Sequence, residues 1–301
     1  MMYTQPKLIQ LLLIVLMLTS PFCYAKEVLT IVGSTTVTPI VKASEASFKS
    51  HSNIGLIIRP KGSSAGIAAV AKGEADIGMA SRPLKQSEKK EWPQLKEITL
   101  AEDAIVLLVS SKNPTTNLTK QQVTEIYSCK YSNWPEVDKS LNYDSLRSQK
   151  ISLISKKEGH GSLSAFIDLF DLSKPKVTGR KMYFKSKDGS EFSRIGSSQV
   201  DTAKQAMTLV ARITNSLGYE SLGAIENLKK DSLYSQIKIL KIDGVEPSIA
   251  SVSTGQYKIK RPLLLVVDKN KTNPQVAEYL KYMSSPEGKN HVTSLGYIAK
   301  D

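Results

Sequence analysis

Cysteine is nearly absent: the 301-residue chain has two, Cys23 and Cys129. That excludes the multi-bridge framework that staples small secreted domains. Histidine is as scarce, and His51, His160 and His291 are too dispersed to form a ligand cluster. No Cys/His spacing suggests a metal, so no metal or other cofactor is expected. Lysines are numerous but never run in blocks of five or six and are not interleaved with aromatics. This argues for a solvated basic surface rather than a nucleic-acid groove. The Gly-x-Ser-x-Gly pattern of a nucleophile elbow is missing as well. Gly159-His160-Gly161-Ser162 puts a histidine near a serine, but Leu163 follows and no acid is placed to orient a base. An enzyme is not expected.

What is present is ordinary globular material, 23% charged and 41% apolar, enough for two medium domains or one large one. One apolar run stands apart. Lys7 precedes Leu8 to Leu18, and Cys23-Tyr24-Ala25 ends in small residues. Residues 1–25 therefore read as a secretory signal peptide, too short to be a stable bilayer anchor. Bulky Phe22 argues against lipid attachment at Cys23. No later apolar stretch is long enough to cross a membrane, so an exported, soluble product is expected. Removing Lys7 with the leader lowers the formal charge from +13 to +12.

The stretch Arg59-Pro60-Lys61-Gly62-Ser63-Ser64-Ala65-Gly66-Ile67 lies between an apolar run ending at Ile58 and an alanine-rich run, Ala65 to Lys72. It reads as strand, tight turn and helix. The first N–H groups of such a helix have no partner within it, and the helix dipole makes that end positive. Glycine permits close approach of the main chain, and serine hydroxyls add donors. A small anion can be held this way, although a serine there can equally be a helix cap.

The pattern recurs. Val28 to Val32 reads as a strand ending in Gly33-Ser34-Thr35-Thr36-Val37-Thr38-Pro39, with Pro39 in the first turn of a helix over Ile40 to Ser50. Asp76 to Ala80 is a strand running into Ser81-Arg82-Pro83. Ile151 to Ile154 opens Ser155-Lys156-Lys157-Glu158-Gly159-His160-Gly161-Ser162 before a helix from Leu163 to Phe170. In a parallel sheet such strand ends share one edge, where ligands bind. Elsewhere we expect a long strand from Ile98 to Ser111, a Thr-capped helix to Tyr127 and a turn at Asn133-Trp134-Pro135. A loop with a short helix over 138–150 and a helix over Val200 to Ile213 follow. Strands at Ser216–Tyr219, Leu240–Ile242 and Leu263–Val267 and a helix from Pro274 to Met283 complete the chain. One lobe, 26–105 with 220–301, would be interrupted by another, 106–219, so that two connections allow hinging about a cleft.

The pieces Gly33 to Pro39, Gly62-Ser63-Ser64-Ala65-Gly66, Ala75-Asp76-Ile77-Gly78, Ile126-Tyr127 and Asn133-Trp134 come in a telling order. Glu158-Gly159-His160-Gly161-Ser162, Leu217-Gly218-Tyr219, Tyr257 with Arg261-Pro262-Leu263, Ser284 to Gly288 and Gly296-Tyr297 continue it. In these pieces the chain resembles the periplasmic phosphate-binding proteins of ABC transporters. The resemblance implies the α/β, two-lobed type-2 periplasmic-binding fold with discontinuous domains and two hinge crossings. It also implies a monomer that captures inorganic phosphate in the periplasm and passes it to a membrane ABC permease. Thr35, Thr36 and the backbone at Val37 match the family's first anion-binding turn, Ser63 the second, and Gly161 with Ser162 the third.

Three positions depart from the pattern. Ser81 stands where many members have an aspartate that accepts the proton of hydrogen phosphate and so rejects sulfate. Lys156 stands for an arginine, keeping charge but losing the two-pronged fit to an oxyanion. His160 stands for a serine, adding a donor if protonated and bulk if neutral. These motivate a second reading, a binding or signalling module of the same fold for another oxyanion or a protein partner. Plainer roles also exist: Thr36, Ser63 and Ser81 as turn or cap residues, Lys156 and His160 facing solvent, Arg82 in a surface ion pair. For Trp134, Tyr219 and Tyr297 packing is expected rather than ligand stacking.

Overall fold

The computed structural model describes residues 27–189, 191–271 and 273–300, so the expected signal peptide lies outside the described residues. No helix among those residues is long and apolar enough to cross a membrane. Among the described residues there are thirteen strands: β1 (Val28–Gly33), β2 (Gly55–Pro60), β3 (Ile77–Ala80), β4 (Leu95–Ser110), β5 (Asn117–Leu118), β6 (Ser152–Lys156) and β7 (Lys176–Thr178), followed by β8 (Lys181–Tyr183), β9 (Ser197–Val200), β10 (Ser216–Ser221), β11 (Ile237–Ile242), β12 (Lys260–Asp268) and β13 (Ile298–Ala299). They join in the order β2-β1-β3-β12-β4-β10-β6-β9-β8-β7, with β11 and β13 also on β4, and β5 on β11. β2, β1 and β3 run parallel. The near-continuous apolar runs of β1 and β3 suit strands covered on both faces, whereas β2, at the sheet edge, leaves Ile57 exposed.

β4 organises the whole. Its first part, Leu95 to Ala104, pairs antiparallel with β12, and its second part, Ile105 to Ser110, pairs with β10 and β11. The buried apolar residues divide at the same place. One core gathers Leu29, Ile31, Phe48, Leu100, Ala101, Leu263 and Tyr279, and the larger core runs from Ala104 through Tyr127, Phe166 and Tyr219 to Ile259. The chain passes between them at 101–104 and at 259–263, and Ile105 N donates to Ile259 O at 2.9 Å, so the two crossings lie side by side. Residues 222–259, which the sequence reading gave to the first lobe, pack their apolar side chains into the second core because β11 pairs with the second part of β4.

Most expected elements are present, including Pro39 in the first turn of helix Thr38–Ser52 and Thr119 capping Lys120–Tyr127 by accepting Gln122 N at 3.1 Å. Four segments differ. Ser197–Val200 is strand β9, parallel to β6, and the helix begins only at Ala203, after Thr202 accepts Gln205 N. Asn133-Trp134-Pro135 opens a one-turn helix, Trp134–Val137. No helix forms over 138–150; Tyr143 and Leu146 are instead buried, with Tyr143 stacked on Trp134. The polar stretch after Lys174 forms the hairpin β7–β8.

An aromatic cluster fixes the part of the second core nearest the first. Phe166 stacks on Tyr219 with ring centroids 3.8 Å apart, and Tyr127 meets Phe166 edge-on at 4.7 Å. Tyr127 OH donates to Ile154 O at 2.9 Å, and Tyr219 OH accepts Lys156 N at 3.2 Å. Burial pushes both phenols above their usual pKa, so they remain neutral hydrogen-bonding groups. Emptying such a position (Phe166→Ala) costs about 3–5 kcal/mol, and here it would also loosen the end of β6 and the helix that follows.

Candidate functional site

Gly33 of β1 pairs with Pro60 of β2 and with Met79 of β3, so the turns after these strands emerge together. Lys61 N and Gly62 N both donate to Gly33 O at 2.8 Å, and Ser34 N donates to Met79 O at 2.9 Å. Helices start from two of these turns at Thr38 and Ser63, and a third, from Gly161, faces them out of the second core. The residues preceding the three helices, Val37, Gly62 and His160, make no side-chain cap bond. The first-turn N–H groups at Ser63 and Gly161 are thus directed at one place together with the positive dipole ends of all three helices, whereas Thr38 N already donates to Ser34 O at 3.0 Å and Ile40 N to Val37 O at 3.0 Å.

Ser34 caps its own turn, and the serine hydroxyls also link one turn to the next. Ser34 Oγ accepts Thr36 N at 3.2 Å and Val37 N at 3.4 Å and donates to Ser81 Oγ at 3.0 Å. Ser63 Oγ accepts Ser81 N at 3.1 Å and lies 3.3 Å from Ser81 Oγ. All three serines are buried. Across from them, Thr36 Oγ1 is 3.5 Å from Ser162 Oγ, and a methyl group at Gly161 would overlap the hydroxyls of Ser81 and Ser63. Gly62, at φ +88°, presses equally close to Gly159 O. Glycine at 62 and 161 is what lets the two halves close to contact.

The positive charge at this junction comes from Arg261. It sits on β12 opposite Asp103 of β4, is 3% exposed, and donates through Nε (3.2 Å) and Nη2 (2.9 Å) to Asp103 Oδ2. Nη2 also reaches Ser162 Oγ at 3.0 Å and Thr36 Oγ1 at 3.4 Å, while Nη1 has no partner among the described residues. One guanidinium therefore touches hydroxyls from both cores and still has donors to give. Tyr297 OH donates to Thr36 O at 3.4 Å, and burial raises its pKa.

Lys156 takes a different place from the one its sequence position suggested. It does not face solvent, yet its ammonium is held by Glu220, also buried, with Asp201 O at 3.5 Å. Its charge is spent within the second core; Lys157 outside pairs with Asp201. His160 is no free surface group either. Its Nδ1 lies 3.2 Å from Thr35 Oγ1 and its Nε2 3.8 Å from Asp201 Oδ1, so it bridges the halves at the rim. Burial, then Lys156, lowers its pKa against the opposing pull of Asp201, which leaves the ring neutral at neutral pH. Arg82 is buried in a two-pronged pair with Glu88 (2.8 and 2.7 Å), with Ser64 Oγ at 3.0 Å, instead of the expected surface ion pair.

Eight of the nine residues singled out from the sequence thus meet at one junction: Thr35, Thr36, Val37, Ser63, Ser81, His160, Gly161 and Ser162. Lys156 stands behind it. Ser34, Asp103 and Arg261 were missed. Arg261 had been noticed within Arg261-Pro262-Leu263, but no local signal brings residue 261 to residue 36. Hydroxyls, helix N-termini and a guanidinium with donors to spare suit a small oxyanion.

Comparison with known proteins agrees with this chemistry. The family model described as a PBP superfamily domain matches residues 24–287. The phosphate-binding protein PstS of Staphylococcus epidermidis is 30% identical over 277 residues, 89% of this chain and 77% of that protein. A Clostridium perfringens substrate-binding protein ascribed to a phosphate ABC transporter, solved with bound phosphate, superimposes with a TM-score of 0.74 at 29% identity, covering 91% of this chain and all of that one. An ABC-type phosphate transport receptor from Vibrio cholerae gives 0.73 at 26% identity, with the same coverage. The chain belongs to the PBP superfamily and, within it, to the PstS phosphate-binding proteins, with their α/β type-2 periplasmic-binding fold.

Proposed function

We propose that this chain captures inorganic phosphate in the cleft between its two cores and, once exported to the periplasm, hands it to a membrane ABC permease. The observation that carries the reading is Arg261, a buried guanidinium bonded to hydroxyls from both halves, with Nη1 unpartnered among the described residues. A buried donor without a partner is costly and calls for an acceptor. Phosphate would take its bonds from the N-termini at Ser63 and Gly161, from Thr36, Ser63, Ser81 and Ser162, and from Arg261. The backbone at Val37 and the rim residues Thr35 and His160 would enclose it, while Lys156 would support the second core. The lobes would be 26–104 with 260–301 and 105–259, hinged at the paired crossings. Each protein molecule would act as a monomer and perform no covalent chemistry.

Calorimetric titration of the anion-stripped mature protein with phosphate tests this. Saturable binding that Arg261→Met abolishes is expected. No heat from a folded protein would refute the reading.

A further inference from the structure

We propose that the site selects its ligand by charge and tetrahedral shape without reading a ligand proton, so that sulfate-class dianions bind beside phosphate; this rests on the oxyanion reading above. A site rejects an unprotonated dianion when an uncompensated carboxylate faces it, and Asp103, Glu220 and Asp201 each already have a cation. Asp103 is held by Arg261 through Oδ2 and accepts Gly223 N at 3.3 Å through Oδ1. Glu220 is held by the Lys156 ammonium and accepts Ser221 N at 3.2 Å. Asp201, at the rim, pairs with Lys157.

The remaining groups are hydroxyls, and Ser34 sets their polarity. Its oxygen already accepts two main-chain N–H groups, so its single proton goes to Ser81 Oγ. Ser63 Oγ likewise spends one acceptor position on Ser81 N. Between the Ser63 and Ser81 hydroxyls, 3.3 Å apart, one proton serves their mutual bond. One O–H and one neutral lone pair then remain for a ligand. Such a pair accommodates either kind of ligand oxygen, because a hydroxyl rotates to donate to a bare oxygen and accepts weakly from a protonated one. Ser34 is the positioning residue that turns Ser81 toward donation.

The test is competition calorimetry on the full mature chain with phosphate and sulfate at about pH 6 and about pH 8. Sulfate should displace phosphate with a dissociation constant within about tenfold of it, at both pH values. Phosphate binding with sulfate weaker by about 10⁴-fold would overturn this inference and leave phosphate capture standing. Silence toward both anions would overturn the two together. In Ser81→Asp the new carboxylate would accept from Ser34 and face the ligand, and sulfate should weaken more than about 100-fold relative to phosphate. Unchanged sulfate binding in that variant would overturn the role given to this corner. The wild-type competition decides the matter whether or not the variant folds.

Discussion

Two buried ion pairs lie near the junction of the cores, and they serve different ends. Lys156–Glu220 joins β6 to β10 within the second core, and among the described residues the ammonium reaches only Glu220 and Asp201 O. Arg261–Asp103 joins β12 to β4, yet the same guanidinium also reaches Thr36 and Ser162. The difference is one of donor geometry. A lysine offers a point charge that one carboxylate can satisfy, whereas arginine's planar fork holds Asp103 along one edge and keeps donors for other acceptors. Burial and charge alone do not separate the two pairs; what the cation reaches after its structural partner is satisfied does.

The largest effects should come from breaking this asymmetry. Arg261→Met strands Asp103 in the interior, costing about 3–5 kcal/mol, and abolishes phosphate binding. Adding Asp103→Asn should recover most of the stability in denaturant unfolding but none of the binding in calorimetry. The parallel double variant, Lys156→Met with Glu220→Gln, should also recover the stability lost by Lys156→Met alone. It should keep phosphate affinity within about tenfold of the original. If it destroys binding as thoroughly as loss of Arg261, the two pairs are equivalent and the distinction falls.

Gly161→Ala should act on closure alone. Its methyl group overlaps Ser81 and Ser63 only when the halves meet, so strain of about 1–3 kcal/mol should appear as a 10- to 100-fold weaker affinity. The melting temperature of the anion-free protein should hardly move. Small-angle scattering should show the variant less compact at saturating phosphate than the wild type.

The smallest effect belongs to His160. Its folded-state pKa is lowered, mainly by burial, so the unfolded chain binds the proton more readily than the folded one. The stability of the neutral ring is fully present above about pH 6.5 and is lost as pH falls toward the folded-state value. His160→Gln should flatten that part of the stability–pH curve. An identical slope in wild type and variant would remove His160 from the rim contact.

Much of this architecture was legible in residue order. Gly33 to Pro39, Arg59 to Ile67 and Ser81-Arg82 could be recognised as strand ends because buried parallel strands read as apolar runs and the turns carry glycine, serine and proline for steric reasons. The loop before Gly161 was legible for the same reason. β9 was not. Ser197-Ser198-Gln199-Val200 lacks any strand pattern and is extended because β6 and β8 offer it a ladder on either side. Tyr143 and Leu146 sit in a segment whose polarity reads as surface, and their burial depends on Trp134 and its neighbours.

By itself, then, the sequence determined which strand ends bear hydroxyls and where the close-contact glycines fall, because those choices are local: a turn either admits its backbone angles or it does not. The tertiary structure alone decided which cation reaches hydroxyls of both cores. Lys156 lies four residues from His160 and Arg261 lies 225 residues from Thr36, yet the latter pair meet, because β12 runs back along β4 in the register that sets Arg261 opposite Asp103 at the crossing. Where a charge comes to rest depends on which partners the pairing of distant strands delivers, and no local pattern carries that information.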